Sequence, residues 1–420
     1  MLARMTTPLS LRDASYAARI NFVVELAERL HAYGTTAQRL EGAVSAVAQR
    51  FGLECEPWSN PTGMILTFSD PRRPPGDSDT TRVIRLPPGD TDLGRLSEAD
   101  RIAEDVMAGR MGLAEGHAAL LSLDRLGGMR TRAVQVMGYG LAAASVAGLL
   151  RLPWMDIGVA GATGLAIGAL VHASDARPQL KEALEAVAAM VAATVALLVA
   201  SFIAPLNQNT VIIASLIVLL PGMALTNAVN ELTSGHLVSG TARFAGALST
   251  IIKLAMGVVL AVTLGRMAGL EPMVRALRPQ PAWVEWGALA VSAFAFAVLF
   301  RARVRDVPLV MASAAGGYLV SRLVGDAHGS PAGVFAAALV MTAAGNAFAR
   351  WMHRPGALVR VPGIILMVPG STSLRGLLEV LQQQDMNAGQ SALMAVLNIL
   401  LALVAGVLFG NLLLPTRRNL

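Results

Sequence analysis

The sequence predicts a polytopic α-helical membrane protein with an N-terminal cytoplasmic α+β domain. Three observations lead there. The 420 residues are 54% hydrophobic and 15% charged, with mean hydropathy +0.55, whereas soluble domains carry about 25% charge. The charge is also divided, with 33 Asp, Glu, Lys and Arg in the first 132 positions and 29 in the other 288. Finally, the second part breaks into ten apolar segments, each near the ~20 residues that cross a ~30 Å hydrocarbon core. Disorder, collagen and a disulfide scaffold are excluded by the same composition.

The first element is an amphipathic helix over 15–33, with Tyr16, Ile20, Val23, Val24, Ala27 and Leu30 on one face. Gly34 ends it. Thr35-Thr36-Ala37-Gln38 reads as a capping box for a second helix carrying Leu40, Val44, Val47 and Phe51. Extended segments follow near 53–57, 62–69 and 81–87, bounded by Asn60-Pro61 and a turn-rich stretch over 70–80. Two more helices are expected at 93–109 and 112–126. The order ααβββαα describes a small α+β domain over 1–130. Its acidic stretch, Asp90, Asp92, Asp100, Glu104 and Asp105, reads as a solvated face.

The ten apolar segments lie at about 133–151, 153–172, 182–204, 209–228, 243–266, 282–300, 306–324, 331–352, 358–374 and 389–413. With the N-terminus inside, loops on that side hold fourteen basic residues: Arg125, Arg130, Arg132, Arg177, Lys181, Arg243, Arg301, Arg303, Arg305, Arg350, Arg354, Arg360, Arg417 and Arg418. The far side holds six: Arg151, Arg266, Arg275, Arg278, Arg322 and Arg375. Positive loops stay cytoplasmic, so both termini are expected inside. No basic and apolar leader of the secretory kind opens the chain, which agrees.

The net charge of +6 is −1 in the first 132 residues and +7 in the rest. A pI near 10.2 would suggest nucleic acid in a soluble chain. Here the excess lies between apolar segments, so nucleic acid is not an expected partner and the lipid bilayer is. Cys55 is the single cysteine, which leaves no internal disulfide and no cysteine-held zinc. The six histidines show no HExxH or HxxxH spacing. No metal or cofactor is expected, and no catalytic elbow, Walker lysine or paired carboxylates in a soluble pocket point to an enzyme.

Sliding the membrane part against itself by 148 residues lays Leu219-Leu220-Pro221-Gly222 on Met367-Val368-Pro369-Gly370. Glu231 then falls on Glu379, Val229 on Leu377 and Thr194 on Thr342. Five spans per copy place the second copy upside down, as in many secondary transporters. The membrane part therefore divides into repeats over 131–270 and 280–415.

The Pro-Gly pairs are the sharpest motif. Proline removes an N–H and glycine permits φ > 0, so Pro221-Gly222 and Pro369-Gly370 break their helices. Freed backbone groups are tolerated in a bilayer only against protein or a water-filled cavity. An ordinary kink is the plain alternative. Thr226, Asn227, Ser371 and Thr372 follow the pairs and are candidate substrate partners. Glu231 and Glu379 could hold an ammonium group or a transported proton; the alternative is a solvated charge at a helix end. Lys253 lies within a span, where it would line the cavity, pair with Glu231 or snorkel. Asp156 and Glu285 read as interfacial, and Asn346 and Asn398 as either interhelical glue or ligands. Gly158, Gly161, Gly164 and Gly168 read as a close-packing face.

Four stretches resemble the threonine/serine exporter family. They are Phe22–Phe68, with ELAERLHAYGTTAQRLEGAVSAVAQRFGL and NPTGMILTF; residues 80–126; LLPGMALTNAVNELTSGHLVSGTARFAGAL at 219–248; and VPGIILMVPGSTSL at 361–374. The resemblance implies a cytoplasmic N-terminal region fused to ten spans in the bacterial inner membrane. It implies export of L-threonine and L-serine driven by protons. Family features fall on Pro221, Gly222, Asn227, Gly235, Gly240 and Arg243, and Glu231 stands where the family pattern has Asp. The second Pro-Gly is followed by Ser-Thr-Ser rather than an Asn-containing run. Two other functions stay open on the residues alone: an exporter or channel for another small solute, such as another amino acid or a dicarboxylate, and a membrane-anchored enzyme or sensor. A homo-oligomer is compatible with all three.

Overall fold

The structure, a computed structural model, describes residues 14–74, 79–123, 128–273, 279–383 and 386–415. Arg125, Arg275, Arg278, Arg417 and Arg418 of the loop-charge count lie outside these residues, as do the middle of the 70–80 turn and the end of the helix expected at 112–126.

The N-terminal unit contains α1 Tyr16–Ala32, α2 Ala37–Arg50, β1 Glu54–Asn60, β2 Gly63–Ser69, β3 Thr80–Arg85, α3 Leu93–Met107 and α4 Leu113–Ser122. Its sheet is antiparallel in the order β1-β2-β3, and the first hairpin pairs Asn60 with Gly63. Met64, Leu66 and Phe68 alternate into the interior along β2, the period of a strand with one buried face. They meet Phe22 and Leu26 of α1, Val44 and Val47 of α2, and Ile102 and Val106 of α3 in one cluster. Phe22 and Phe51 stack at 5.5 Å between ring centres. Cys55 is half-buried and free.

One ion pair locks α1 to the end of β2. Arg19 and Asp70 are each 3% exposed and 2.5 Å apart. Arg19 also donates to the Phe51 carbonyl at 2.9 Å. Burial pushes the Asp70 carboxyl up, but the Arg19 and Arg72 hydrogen bonds outweigh it and hold the group down at about 2.

The remaining chain is helical: α5 Met129–Leu149, α6 Trp154–Ser174, α7 Pro178–Glu182, α8 Leu184–Phe202, α9 Gln208–Ser215, α10 Gly222–Thr233, α11 Leu237–Met267, α12 Ala282–Leu299, α13 Val307–His328, α14 Ser330–Met352, α15 Ala357–Ile365, α16 Gly370–Gln383 and α17 Met386–Leu413. Among the described residues, eight helical segments are long and apolar enough to cross a membrane. The protein is thus a multi-pass membrane protein. Two expected spans fall outside those eight. α5 carries Arg130, Arg132 and Gln135 near its start. The 209–228 segment divides into α9 and α10, of 8 and 12 residues, each too short to span alone.

Helix packing relies on small residues. A Cβ on Gly257 of α11 would stand 2.1 Å from the Ala186 carbonyl of α8, and one on Gly406 of α17 would stand 2.5 Å from the Phe335 carbonyl of α14. Backbones approach closely there because no side chain intervenes. Gly161 and Gly164 of α6 bring that helix against Ala144 and Ala143 of α5 in the same manner. α5 also packs on α12. Phe202, Leu412 and many other apolar side chains remain exposed on the outside of the bundle, as lipid contact requires. Trp154 and Trp283 sit together at helix starts, 5.9 Å apart, an arrangement suited to a membrane interface.

Two carboxylates expected near span ends lie in the first turns of α6 and α12 and are covered by protein. Asp156 is fully buried and accepts from the Asn207 backbone and side-chain amides at 3.2 and 2.7 Å. Glu285 is 6% exposed and accepts from Arg322 and from Tyr318. Both carboxylates tie helices together, because a carboxylate enters an apolar bundle only with its donors. Asn346 joins α14 to the end of α17 through Asn411 and the Leu414 carbonyl at 2.9 and 2.8 Å.

Replacing Asp70 by Asn leaves Arg19 buried without its counter-charge and should cost roughly 3–5 kcal/mol. The native pair is fully present above the unfolded carboxyl range near ~4 and is lost as the pH falls toward ~2. Thermal unfolding of the full chain in detergent should show a constant deficit between pH 5 and pH 7 that narrows below ~4.

Candidate functional site

The two Pro-Gly breaks meet. α10 begins at Gly222 and α16 at Gly370. A Cβ on Gly222 would stand 2.3 Å from Val368 Cγ1 and 3.4 Å from the Gly370 nitrogen. A Cβ on Gly370 would stand 3.0 Å from Leu220 Cβ and 3.3 Å from the Gly222 nitrogen. A methyl group on either glycine would meet the side chain before the other Pro-Gly pair, Val368 or Leu220, with the partner glycine's backbone just beyond. The Leu225 N–H donates to the Pro221 carbonyl at 2.9 Å, and the Ser373 N–H donates to the Pro369 carbonyl at 3.0 Å. The same first turn is built twice, 148 positions apart. Both half-helices start at this contact, where the positive ends of two helix dipoles come together.

Around the contact, Ser371 and Thr372 are half-buried. Thr226 is 3% exposed and its hydroxyl has no partner among the described residues. Ser373 spends its hydroxyl on the Pro369 carbonyl at 2.7 Å. Met223, Asn227 and Glu231 follow one another on a single face of α10, one turn apart, about 6 Å per step.

Glu231 is 0% exposed. Its carboxylate accepts from Arg243 Nε and a terminal guanidinium nitrogen at 3.0 Å each, from Ser239 Oγ at 2.8 Å, and from the Ala37 N–H at 3.0 Å. Ala37 is the first residue of α2, which corrects the expected capping box. Thr36 makes no side-chain cap, and the Thr35 hydroxyl is buried without a partner. The exposed N-terminal donor of α2 is satisfied instead by a carboxylate 194 residues away. Next to it, His236 meets Glu41 of α2 at 3.1 Å. Glu41 also accepts from the Ser59 N–H and hydroxyl at 2.7 and 2.9 Å.

A cavity of about 100 Å³ opens between these elements. α2 contributes Arg39, α3 contributes Asp100, α10 contributes Met223 and Asn227, and α15 contributes Arg360. It joins the N-terminal unit to the residues just beyond the Pro-Gly contact. Asp100 is only 6% exposed, so it is not part of a solvated face. Desolvation and nearby Glu104 push its carboxyl well above the ordinary range, with Arg354 opposing.

A family model describing a threonine/serine exporter matches residues 21–265. A second, described as Threonine/Serine exporter, ThrE, matches residues 287–413. The chain belongs to the threonine/serine exporter family. A relative from Mycobacterium tuberculosis (strain ATCC 25618 / H37Rv), named "Probable threonine/serine exporter", is 23% identical over 329 residues. The match covers 76% of this chain and 62% of that relative, so the chain spans less than two thirds of the relative's length. No solved structure matches the chain.

In this member of the exporter family the N-terminal unit docks at two places. One is the Glu231–Ala37 contact. The other is the start of α3, where the Leu93 N–H donates to the Phe300 carbonyl at 2.9 Å and Asp92 pairs with Arg301 at 3.3 Å. Arg303 pairs with Glu98, and Arg354 reaches Asp306 and the Ser97 hydroxyl at 2.7 and 3.4 Å. Leu93 is buried against Phe296, Phe300 and Leu358. Asp92 thus caps α3 and binds an arginine.

The remaining predicted charges are dispersed. Lys253 is 40% exposed, lies 3.5 Å from Glu185 and donates to the Glu182 carbonyl. It pairs with Glu185, while Glu231 pairs with Arg243. Glu379 is half-buried on α16 and forms no ion pair with a described residue. Sequence reasoning missed Arg39, Arg360 and Glu41. Arg360 was counted with the loop cations, and only the fold turns it inward.

Two substitutions test the contact and the clamp. Gly222→Ala should lower stability by about 1–3 kcal/mol through overpacking against Val368. Val368→Ala should restore most of it, as read by thermal unfolding of single and double variants. Glu231→Gln removes the charge that Arg243 and Ala37 face. Hydrogen exchange at the first turn of α2 should accelerate by tenfold or more, while the amides of β2 keep their protection.

Proposed function

We propose that the chain is a secondary-active exporter of L-threonine and L-serine in the bacterial cytoplasmic membrane. It works by alternating access and is driven by protons, with both termini and the N-terminal unit in the cytoplasm. The observation that carries this reading is the backbone contact of Gly222 with Gly370, where two broken helices present their N-termini to one place. Anionic substrate groups favour such ends.

In this scheme α5 to α11 and α12 to α17 are inverted repeats of five spans, ten in all. α5 counts as a span despite its polar start, and each broken pair, α9–α10 and α15–α16, counts as one. Matched packing supports the division: α8 lies on α11 as α14 lies on α17, and α10 lies on α11 as α16 lies on α17. Pro221, Gly222, Thr226 and Asn227 would meet substrate together with Pro369, Gly370, Ser371 and Thr372. Thr226 supplies a buried hydroxyl that awaits a partner, and an unmet buried polar group is costly.

Among the charges, Glu231 and Arg243 satisfy each other and serve as an anchor. Lys253 is occupied by Glu185. Glu379 is the half-buried carboxyl on a broken helix without a cation, and it is the proton carrier in this scheme. No step requires bond chemistry on the substrate, so the protein acts as a transporter and not as an enzyme.

Cells fed threonine dipeptides should release threonine faster with the protein than without it. Equal release would overturn the threonine assignment. In proteoliposomes, a panel of amino acids and dicarboxylates would then identify the solute. Glu379→Gln should abolish uphill export and leave threonine–threonine exchange running; unchanged pH dependence would remove Glu379 from coupling.

A further inference from the structure

The cavity between the N-terminal unit and the membrane part is lined by charged side chains that form no ion pair with a described residue. Arg39 of α2 and Arg360 of α15 both line it, and neither side chain forms an ion pair or hydrogen bond with a described residue. Asp100 lines the same space, is 6% exposed, and is equally without an ion pair or hydrogen bond. The Tyr33 and Thr35 hydroxyls, also in the lining, are buried with no partner. By contrast, Glu231 has four donors, and Arg19 has both Asp70 and a carbonyl. Removing a charge from water without a partner costs several kcal/mol, a cost that falls on Asp100, while Arg39 and Arg360 are half-buried. Two guanidinium groups and a carboxyl left open around one cavity are therefore a recognition surface for a ligand that supplies the missing charges.

The chemistry of that ligand follows from the groups. A guanidinium fork matches a carboxylate, and a buried carboxyl without a cation matches an ammonium group. The space is about 100 Å³, several times the ~10–15 Å³ that one water needs, which suits a small solute. Polar hydroxyls and the Asn227 amide remain for a hydroxyl side chain. We propose that this cavity binds a small α-amino acid, its carboxylate held by Arg39 and Arg360 and its ammonium group by Asp100. The choice of a hydroxyl amino acid rests on the exporter reading. The N-terminal unit then forms one wall of an inner binding site, next to the Pro-Gly contact and facing α10 and α15. Two shifts agree with it. Burial alone lowers the Arg39 guanidinium to about 10, and burial with Glu104 raises Asp100 against the pull of Arg354. A bound zwitterion reverses both.

The test is calorimetric titration of the full chain in detergent. L-Threonine, its methyl ester, N-acetyl-L-threonine and succinate serve as probes, followed by the other amino acids. L-Threonine is expected to bind, and the ester, which lacks the carboxylate, at least tenfold more weakly. Arg39→Gln and Arg360→Gln should each weaken threonine binding tenfold or more, with Arg39→Lys between. Asp100→Asn should weaken threonine and leave N-acetyl-L-threonine unchanged. The Arg39 side chain makes no ion pair or hydrogen bond with a described residue, so its variant should melt with the parent protein. Parent-like threonine affinity in both arginine variants, equal binding of ester and acid, tighter binding of succinate than of every amino acid, or no amino-acid binding at all would each overturn the proposal. Parallel efflux measurements separate the two claims. Export by the parent with undiminished binding in the arginine variants removes the site and keeps the exporter. Absence of threonine export, with binding of another amino acid lost in Arg39→Gln, removes the threonine assignment and keeps the site.

Discussion

A backbone broken inside an apolar bundle must find partners for its freed polar groups, and this chain solves the problem by breaking two helices at one place. Gly222 and Gly370 lie so close that neither could carry a methyl group without displacing Val368 or Leu220. Everything near the candidate site is placed by that contact. It sets where α10 and α16 start, and therefore which face of α10 carries Met223, Asn227 and Glu231 away from it. It brings α15, with Arg360, beside α10. A bilayer tolerates irregular backbone only when it is covered by protein or lines a cavity, and both conditions hold here: the glycines cover each other, and the cavity begins one residue later at Met223.

The second constraint is electrostatic. Glu231 sits two turns beyond Asn227's neighbour Met223 on the same helix face, and its buried carboxylate draws in Arg243, Ser239 and the first N–H of α2. An orphan helix donor and an internal carboxylate are each costly alone, and each removes the other's cost. The N-terminal unit is thereby fastened to α10, while Asp92, Leu93 and Glu98 fasten it to the loop after α12. A unit attached at both places spans the two proposed repeats. Any motion of one repeat against the other would have to stretch, rotate or release one attachment.

Much of this was legible in the residues. The apolar segments, the helix breaks at Pro221 and Pro369, the alternation of Met64, Leu66 and Phe68, and the 148-residue spacing all follow from local rules of period and backbone chemistry. What was not legible is long-range charge pairing. Thr35-Thr36-Ala37-Gln38 has the composition of a self-sufficient cap, and no local rule indicates that Glu231 supplies it. Asp100 sits in an acidic run that resembles a surface, but the turn of α3 carries it inward beside Leu93 and Leu96. Asp156 and Glu285 lie near helix ends, where water is the default partner; Asn207 and Arg322 replace that water only because α9 and α13 pack there.

The basic loop residues illustrate the same limit from the other direction. Counting Arg243, Arg301, Arg303, Arg354 and Arg360 as free loop cations makes them markers of orientation. In the fold, Arg243 binds Glu231, Arg301 and Arg303 bind Asp92 and Glu98, and Arg354 binds Asp306 and Ser97. Four of the five are committed to holding the N-terminal unit or the loops beneath it. Arg360 is the exception: it lines the cavity and its side chain forms no ion pair with a described residue. The loop arginines that the sequence marks as orientation signals attach the N-terminal unit in the fold. An arginine that makes no such attachment is the one whose charge is left for a ligand.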